Sequence, residues 1–200
     1  MNWRLLGESF VTLSVIMDPP GTVPVFLALT GSLSTAERRR AAWQAVAVAF
    51  GVIVVFALFG RVILDYLGIT LPALQAAGGL LLLLVSLQLL TGQLDETPRP
   101  AADNIAMVPL GTPLLAGPGA IVATMVFVQD AEDATDFAAV GLAIVAVHLV
   151  LWAVLGFSVV IRRVLKDSGI QLLSRIAGLL LAAIAVQLVA EAVRAYVSGA

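Results

Sequence analysis

The sequence predicts an all-α integral membrane protein whose six transmembrane helices form two inverted three-helix repeats, with helices 1 and 4 broken by proline and glycine. Three observations lead there. The 200-residue chain is 60% hydrophobic and 12% charged, with a mean hydropathy of +1.05, far outside the range of an ordinary soluble domain. Six apolar stretches are each long enough to cross a hydrocarbon core, which takes roughly 20 helical residues. Two stretches, Asp18-Pro19-Pro20-Gly21 with Pro24 and Gly117-Pro118-Gly119, place helix breakers where a membrane helix should continue. Backbone groups freed at such a break cannot face lipid, so each break is buried in protein or lines a cavity.

Span 1 is expected near residues 5–30. Arg4, Glu8 and Asp18 interrupt it, so it lacks the apolar core and cleavage site of a signal peptide and reads as a membrane helix. Span 2, near 41–64, follows Arg38, Arg39 and Arg40. Span 3, near 71–91, carries Gly78-Gly79, a leucine run and Gln88. Span 4, near 107–129, contains the second break, and Pro109, Gly111 and Pro113 ahead of it mark its first half as irregular or re-entrant. Span 5, near 138–161, holds His148, the only histidine, and is followed by Arg162, Arg163 and Lys166. Span 6, near 172–196, matches span 3 without a gap: Gly79, Leu80, Leu81, Leu82, Gln88 and Leu89 fall on Gly178, Leu179, Leu180, Leu181, Gln187 and Leu188.

Pro20-Gly21 likewise corresponds to Pro118-Gly119. The single transmembrane domain, 1–200, therefore divides into halves of about 1–97 and 105–200. Each half has an odd number of spans, so the second enters the membrane upside down relative to the first, a plan that places a binding site at the repeat interface near mid-membrane. The two arginine-rich connections face the cytoplasm by the positive-inside rule. The connection bearing Asp130, Glu132, Asp133 and Asp136 then lies outside, as do both termini.

Several function classes drop out. The chain has no cysteine, which removes disulfides and thiol chemistry. No soluble catalytic domain fits beside six spans, and no Ser/His/Asp set or metal cluster is placed for catalysis, so the chain is not expected to be an enzyme or to carry a cofactor or metal. Nor is a nucleic-acid partner expected. The expected partners are the lipid bilayer and a small-molecule substrate, with a coupling proton or sodium ion and a second copy of the chain left open.

Asp18 is the acidic residue closest to mid-membrane, roughly 20 Å along span 1. A carboxylate there is costly and is a functional candidate by default; alternatively, Asp18 followed by Pro19 fits an N-cap that organises the second half-helix, and the two roles are compatible. Protonation of Asp18 is one route to coupling with a proton gradient. Half-helices starting after Gly21 and after Gly119 would aim free amides at the centre and favour a carboxylate, while freed carbonyls across each break favour an ammonium. A zwitterionic amino acid matches both. The expected binding set is Asp18, Pro19, Pro20, Gly21, Thr22 and Pro24 from the first break, and Thr112, Gly117, Pro118, Gly119, Ala120 and Thr124 from the second. Small groups such as Thr22, Thr112, Ala120 and Thr124 would suit a small side chain. Gln88 and Gln187 either join this set or hydrogen-bond between helices. His148 is either a packing residue or a proton relay, and Gly78, Gly79 and Gly178 allow close helix contact.

Asp-Pro-Pro-Gly-x-x-Pro in span 1, the Thr-Pro-Leu-Leu-Ala-Gly-Pro-Gly-Ala-Ile run at 112–121 and Arg-Ile-Ala-Gly-Leu-Leu-Leu-Ala-Ala-Ile-Ala-Val-Gln at 175–187 are a specific motif set. With them the chain resembles the MarC family of bacterial and archaeal inner-membrane proteins over essentially its full length. The resemblance implies six membrane helices and, from the characterised branch, transport of small neutral amino acids such as glycine, alanine, serine and threonine. By position it marks Asp18, Pro19, Gly21, Pro24, Gly117, Pro118 and Gly119; Pro20 departs from the pattern, which more often has isoleucine or leucine there. The expected function is a secondary transporter, an exporter or exchanger working by alternating access, with a passive channel or membrane scaffold as the alternative.

Overall fold

The computed structural model describes residues 2–91 and 115–198, and every regular element among them is a helix. In chain order these are α1 (Trp3–Met17), α2 (Pro19–Leu29), α3 (Thr35–Leu67), α4 (Leu71–Thr91), α5 (Pro118–Gln129), α6 (Ala134–Gly156) and α7 (Ser158–Ser198). Five stretches are long and apolar enough to cross a membrane: Trp3–Leu27, which runs through α1 and α2, then Thr35–Leu67, Leu71–Thr91, Ala134–Gly156 and Ser168–Ser198. The fourth expected span lies partly outside the described residues, and its described part is the shorter apolar helix Gly119–Gln129.

Local chemistry sets the ends. Asn2 caps α1, its Oδ1 accepting from the Leu5 amide at 3.1 Å. The Ser34 and Glu37 side chains each accept from the other's backbone amide, a capping box that starts α3 one turn before the arginine cluster. This cap makes α3 longer than the expected 41–64, because the polar first turn can be helical without being inside the bilayer. Gly68, at φ 66, ends α3 in the left-handed conformation that glycine adopts without a Cβ penalty. α4 occupies the range the sequence predicts. Asp133 caps α6, accepting from the Thr135 and Asp136 amides at 2.8 and 2.9 Å. α6 ends at Phe157, α7 follows at once, and α7 is itself broken at Lys166, where φ is 54 and ψ 172; only beyond this break does the last span begin.

Small residues let the helices approach closely. Ala41, Ala42, Ala45 and Ala49 of α3 are buried in one cluster with Val140, Ile144 and Val147 of α6, and with Leu13, Met17, Phe26, Ala120 and Ala123. Without a hydrophobic driving force between helices in lipid, such close contact is the main source of association. At one end of this layer Arg38, Arg162 and Arg163 line a common hollow beside Gly31. Nearby, Trp43 meets Trp152 edge to face at 6.5 Å, and Arg39 lies 5.8 Å from the Phe157 ring. At the other end Asn2 donates to Asp136 at 2.9 Å, bringing the start of α1 to the acidic connection before α6.

The second core is Leu82 and Leu89 of α4 against Leu181, Ala185 and Leu188 of α7. Its contacts are reciprocal. A Cβ built on Gly79 would lie 2.8 Å from the Ala185 carbonyl oxygen and 3.3 Å from Leu188 Cβ, with Val189 beside it; one built on Gly178 would lie 3.2 Å from the Ser86 oxygen and 3.0 Å from Leu89 Cβ, with Leu90 beside it. Each residue in the first set is separated from its counterpart in the second by the same length of chain. The two helices run antiparallel, because rising numbers on one meet falling numbers on the other. The caps Ser34 and Asp133 share that separation.

Candidate functional site

The first break is built by Asp18 and the two prolines after it. Asp18 adopts φ 40, ψ 66, a left-handed conformation that aspartate tolerates better than most residues. Its own amide closes α1 onto the Ser14 carbonyl at 3.1 Å. Its carboxylate Oδ1 accepts from the Gly21 amide at 3.2 Å, and its carbonyl accepts from the Thr22 amide at 3.1 Å. A helix begins with four amides lacking an internal partner. In α2 two of them are prolines without an N–H, and Asp18 satisfies the other two. The sequence reading expected free amides here; the structure differs because α2 begins at Pro19 rather than after Gly21, so Asp18 is itself the anion at this helix end.

The second carboxylate oxygen has a different fate. Asp18 is 7% exposed, and its Oδ2 has no hydrogen-bond partner among the described residues, nor does the buried Ser14 hydroxyl one turn earlier. Oδ2 presses on Gly21, where an added Cβ would overlap it and would lie 2.9 Å from the Ser174 hydroxyl of α7. Glycine is therefore required at 21 by the approach of two side chains. Thr22 is buried, its hydroxyl donating to the Pro19 carbonyl at 2.8 Å.

Beyond Gly21 lies a cleft of ≈ 260 Å³ between α2, α4 and α7, lined by Gly21, Pro24 and Val25, by Gln88, Leu89 and Thr91, and by Ile170, Gln171, Ser174 and Arg175. The structure thus brings Gly21, Pro24 and Gln88 together, with the buried Asp18 carboxylate beside Gly21. Gln171, Ser174 and Arg175 are the members that sequence reasoning passed over. Their signal is a polar face at i, i+3 and i+4 heading an apolar span.

The other expected residues lie elsewhere. Gly117 caps α5 without a side-chain bond, and Pro118 takes the first helical position. An added Cβ at Gly119 would overlap the Leu82 side chain, so this glycine serves the contact with α4 rather than lining the cleft. Ala120 is buried in the larger core, and Thr124 is buried with no partner for its hydroxyl among the described residues. Thr112 lies outside the described residues. Gln187 is exposed and donates to Glu191 at 2.6 Å, about 18 Å along α7 from Arg175 at 1.5 Å per residue. His148 donates from Nδ1 to the Ile144 carbonyl at 2.7 Å and stands edge-on to Phe50 at 5.1 Å, with Nε2 buried and unpartnered among the described residues. No cluster of histidine, aspartate and glutamate that could hold a metal ion occurs among the described residues.

Residues 3–197 match the model of a family described as MarC family integral membrane protein. A UPF0056 membrane protein of Methanocaldococcus jannaschii is 41% identical over 97% of this chain and 98% of its own length. One from Aquifex aeolicus is 35% identical over 95% and 92% of the respective chains. The UPF0056 inner membrane protein MarC of Escherichia coli is 31% identical over 94% and 93%. No solved structure matches the chain.

Proposed function

The chain belongs to the MarC family of integral membrane proteins, and from that premise we propose that it is a secondary transporter of small neutral amino acids, of the glycine, alanine, serine and threonine class. It works as an exporter or exchanger by alternating access of two inverted three-helix halves. One observation carries the reading: a polar cleft opens onto a helix break at which a carboxylate oxygen, Asp18 Oδ2, is buried with no partner among the described residues. An unpaired acceptor inside a membrane protein is expensive to keep, and a substrate ammonium, a proton or a sodium ion is the kind of group that would repay it.

The inverted plan is supported by the reciprocal packing of Gly79 and Gly178, and by the matching caps at Ser34 and Asp133. It is supported further by the way α2 packs on α7 while α5 packs on α4. The arginine-lined end is the cytoplasmic one on the positive-inside rule, which leaves both termini outside. α4 ends and the last span begins on that side, so in this reading the cleft lies at the cytoplasmic end.

Counterflow in proteoliposomes tests the proposal. Saturable uptake of radiolabelled glycine, alanine, serine or threonine, driven by unlabelled amino acid inside, is expected. A passive channel gives no such acceleration, and folded protein that exchanges none of the four refutes the proposal.

A further inference from the structure

The cleft has a feature that the paired breaks do not explain. Among the described residues its lining contains one cationic side chain, Arg175, and no carboxylate. Arg175 makes no ion pair or hydrogen bond to another described residue. It follows Ser174 in the chain, and the Ser174 hydroxyl and Asp18 Oδ2 both crowd the position a Cβ on Gly21 would take. The cleft thus carries a cationic side chain, and a carboxylate oxygen without a partner among the described residues lies beside Gly21 of its lining.

The anion-binding capacity of the two helix ends is limited. The first turn of α2 has no amide left to donate, since two of its four positions are prolines and Asp18 holds the rest. At the start of α5, Gly119 is covered by Leu82. A zwitterion in this cleft has Asp18 Oδ2, beside Gly21, as the acceptor for its ammonium, but no backbone donor at α2 for its carboxylate. The remaining donors are side chains: the Arg175 guanidinium, with the Gln88 and Gln171 amides and the Ser174 hydroxyl around it. A guanidinium presents paired N–H groups in the plane that a carboxylate accepts, and does so as a fixed charge.

We infer that Arg175 receives the α-carboxylate of the transported amino acid at the cytoplasmic mouth of the cleft and so makes that carboxylate a condition of transport. The inference rests on the transporter reading above. Arg175 is then a specificity-determining residue, and the cleft should reject the same molecule when its carboxylate is replaced by a neutral amide.

The test is competition by glycine and by glycinamide against radiolabelled glycine counterflow, in wild type, Arg175→Lys and Arg175→Gln. In wild type, glycinamide should compete about 10- to 100-fold more weakly than glycine, the range expected for a charge-assisted hydrogen-bonded pair. Arg175→Gln should raise the KM for glycine by a similar factor and bring the two competitors close together. Arg175→Lys should retain the preference with a smaller rise in KM, because the charge remains and the paired geometry does not. A residue needed only for folding would not change the ratio between competitors. Glycinamide that competes as well as glycine in wild type overturns the inference without any variant, and so does an Arg175→Gln protein with unchanged KM and unchanged preference. Wild-type protein that exchanges no amino acid overturns the transporter reading first and this inference with it, an outcome distinct from exchange that is indifferent to Arg175.

Discussion

Asp18 has two roles that one pair of substitutions separates. As a cap it needs an acceptor oxygen at Oδ1 and tolerance of φ 40; as a charged group it needs a carboxylate. Asn keeps the acceptor, and it is among the few residues that adopt a left-handed conformation readily. It also removes a carboxylate of the type that costs about 2.5–3.5 kcal/mol at the bilayer centre on insertion scales. Asp18→Asn should therefore be at least as stable as wild type. Asp18→Ala loses the cap, at about 1 kcal/mol, and places an ordinary side chain in the left-handed region, at about 1–2 kcal/mol. The sum, roughly 2–3 kcal/mol below Asp18→Asn, corresponds to a drop in Tm on the order of 4–12 °C for a chain of this size. Because the chain has no cysteine, thiol-reactive dyes report nothing; the intrinsic fluorescence of Trp3, Trp43 and Trp152 in detergent is the suitable readout. Counterflow run on the same preparations should show exchange weakened in Asp18→Asn despite its stability. Equal Tm values for Asn and Ala would refute the capping argument, and wild-type exchange by Asp18→Asn across the pH range would remove the carboxylate from the transport cycle.

Gly21→Ala should lower Tm and abolish exchange, since the methyl overlaps Asp18 Oδ2 and overpacking of this kind costs about 1–3 kcal/mol; normal exchange by this variant would show that the contact at Gly21 is not tight. Gly79→Ala and Gly178→Ala should both destabilise the protein, Gly79→Ala more, because its methyl would lie 2.8 Å from the Ala185 carbonyl oxygen whereas that of Gly178→Ala would lie 3.2 Å from the Ser86 oxygen; a lower Tm for Gly178→Ala than for Gly79→Ala would argue against this packing. Gly119→Ala should be destabilising by about 1–3 kcal/mol and partly rescued by Leu82→Ala, which a double-mutant cycle measures; strict additivity would show that the two do not meet. Asp133, outside the membrane-spanning segments, has its carboxyl held below the usual range, first by the Thr135 hydroxyl and then by the Asp136 amide. A lowered folded-state pKa contributes stability above the unfolded value that is lost as pH falls through the folded one, so the Tm gap between wild type and Asp133→Ala should be widest near neutral pH and close in acid. A gap independent of pH would mean that the charge is not engaged.

The membrane class was legible because 60% hydrophobic residues in long runs admit no other solvent for the folded chain. The break at Asp18 was legible too, down to its capping alternative, because consecutive prolines and an aspartate constrain backbone and hydrogen bonds locally. Its exact start was not: whether α2 begins before or after Pro20 depends on how Asp18 turns, and that changes how many amides are left for a ligand. Gln88 and Gln187 look equivalent in sequence, yet one lines the cleft and the other pairs with Glu191. Gly119 and Gly21 look equivalent as well, yet Leu82 covers the first while the second opens toward Ser174.

By itself the sequence determined what acts over a few neighbouring residues or over a whole span: the solvent, the presence of long apolar helices, and the break at Asp18. Only the tertiary structure decided which polar groups share a cleft. The physical reason is that lipid and a helix interface are equally apolar, so a membrane helix carries little of the periodicity that marks the buried face of a soluble one. Gln171, Ser174 and Arg175 become neighbours of Gly21 and Gln88 only because α7 packs against α2 and α4.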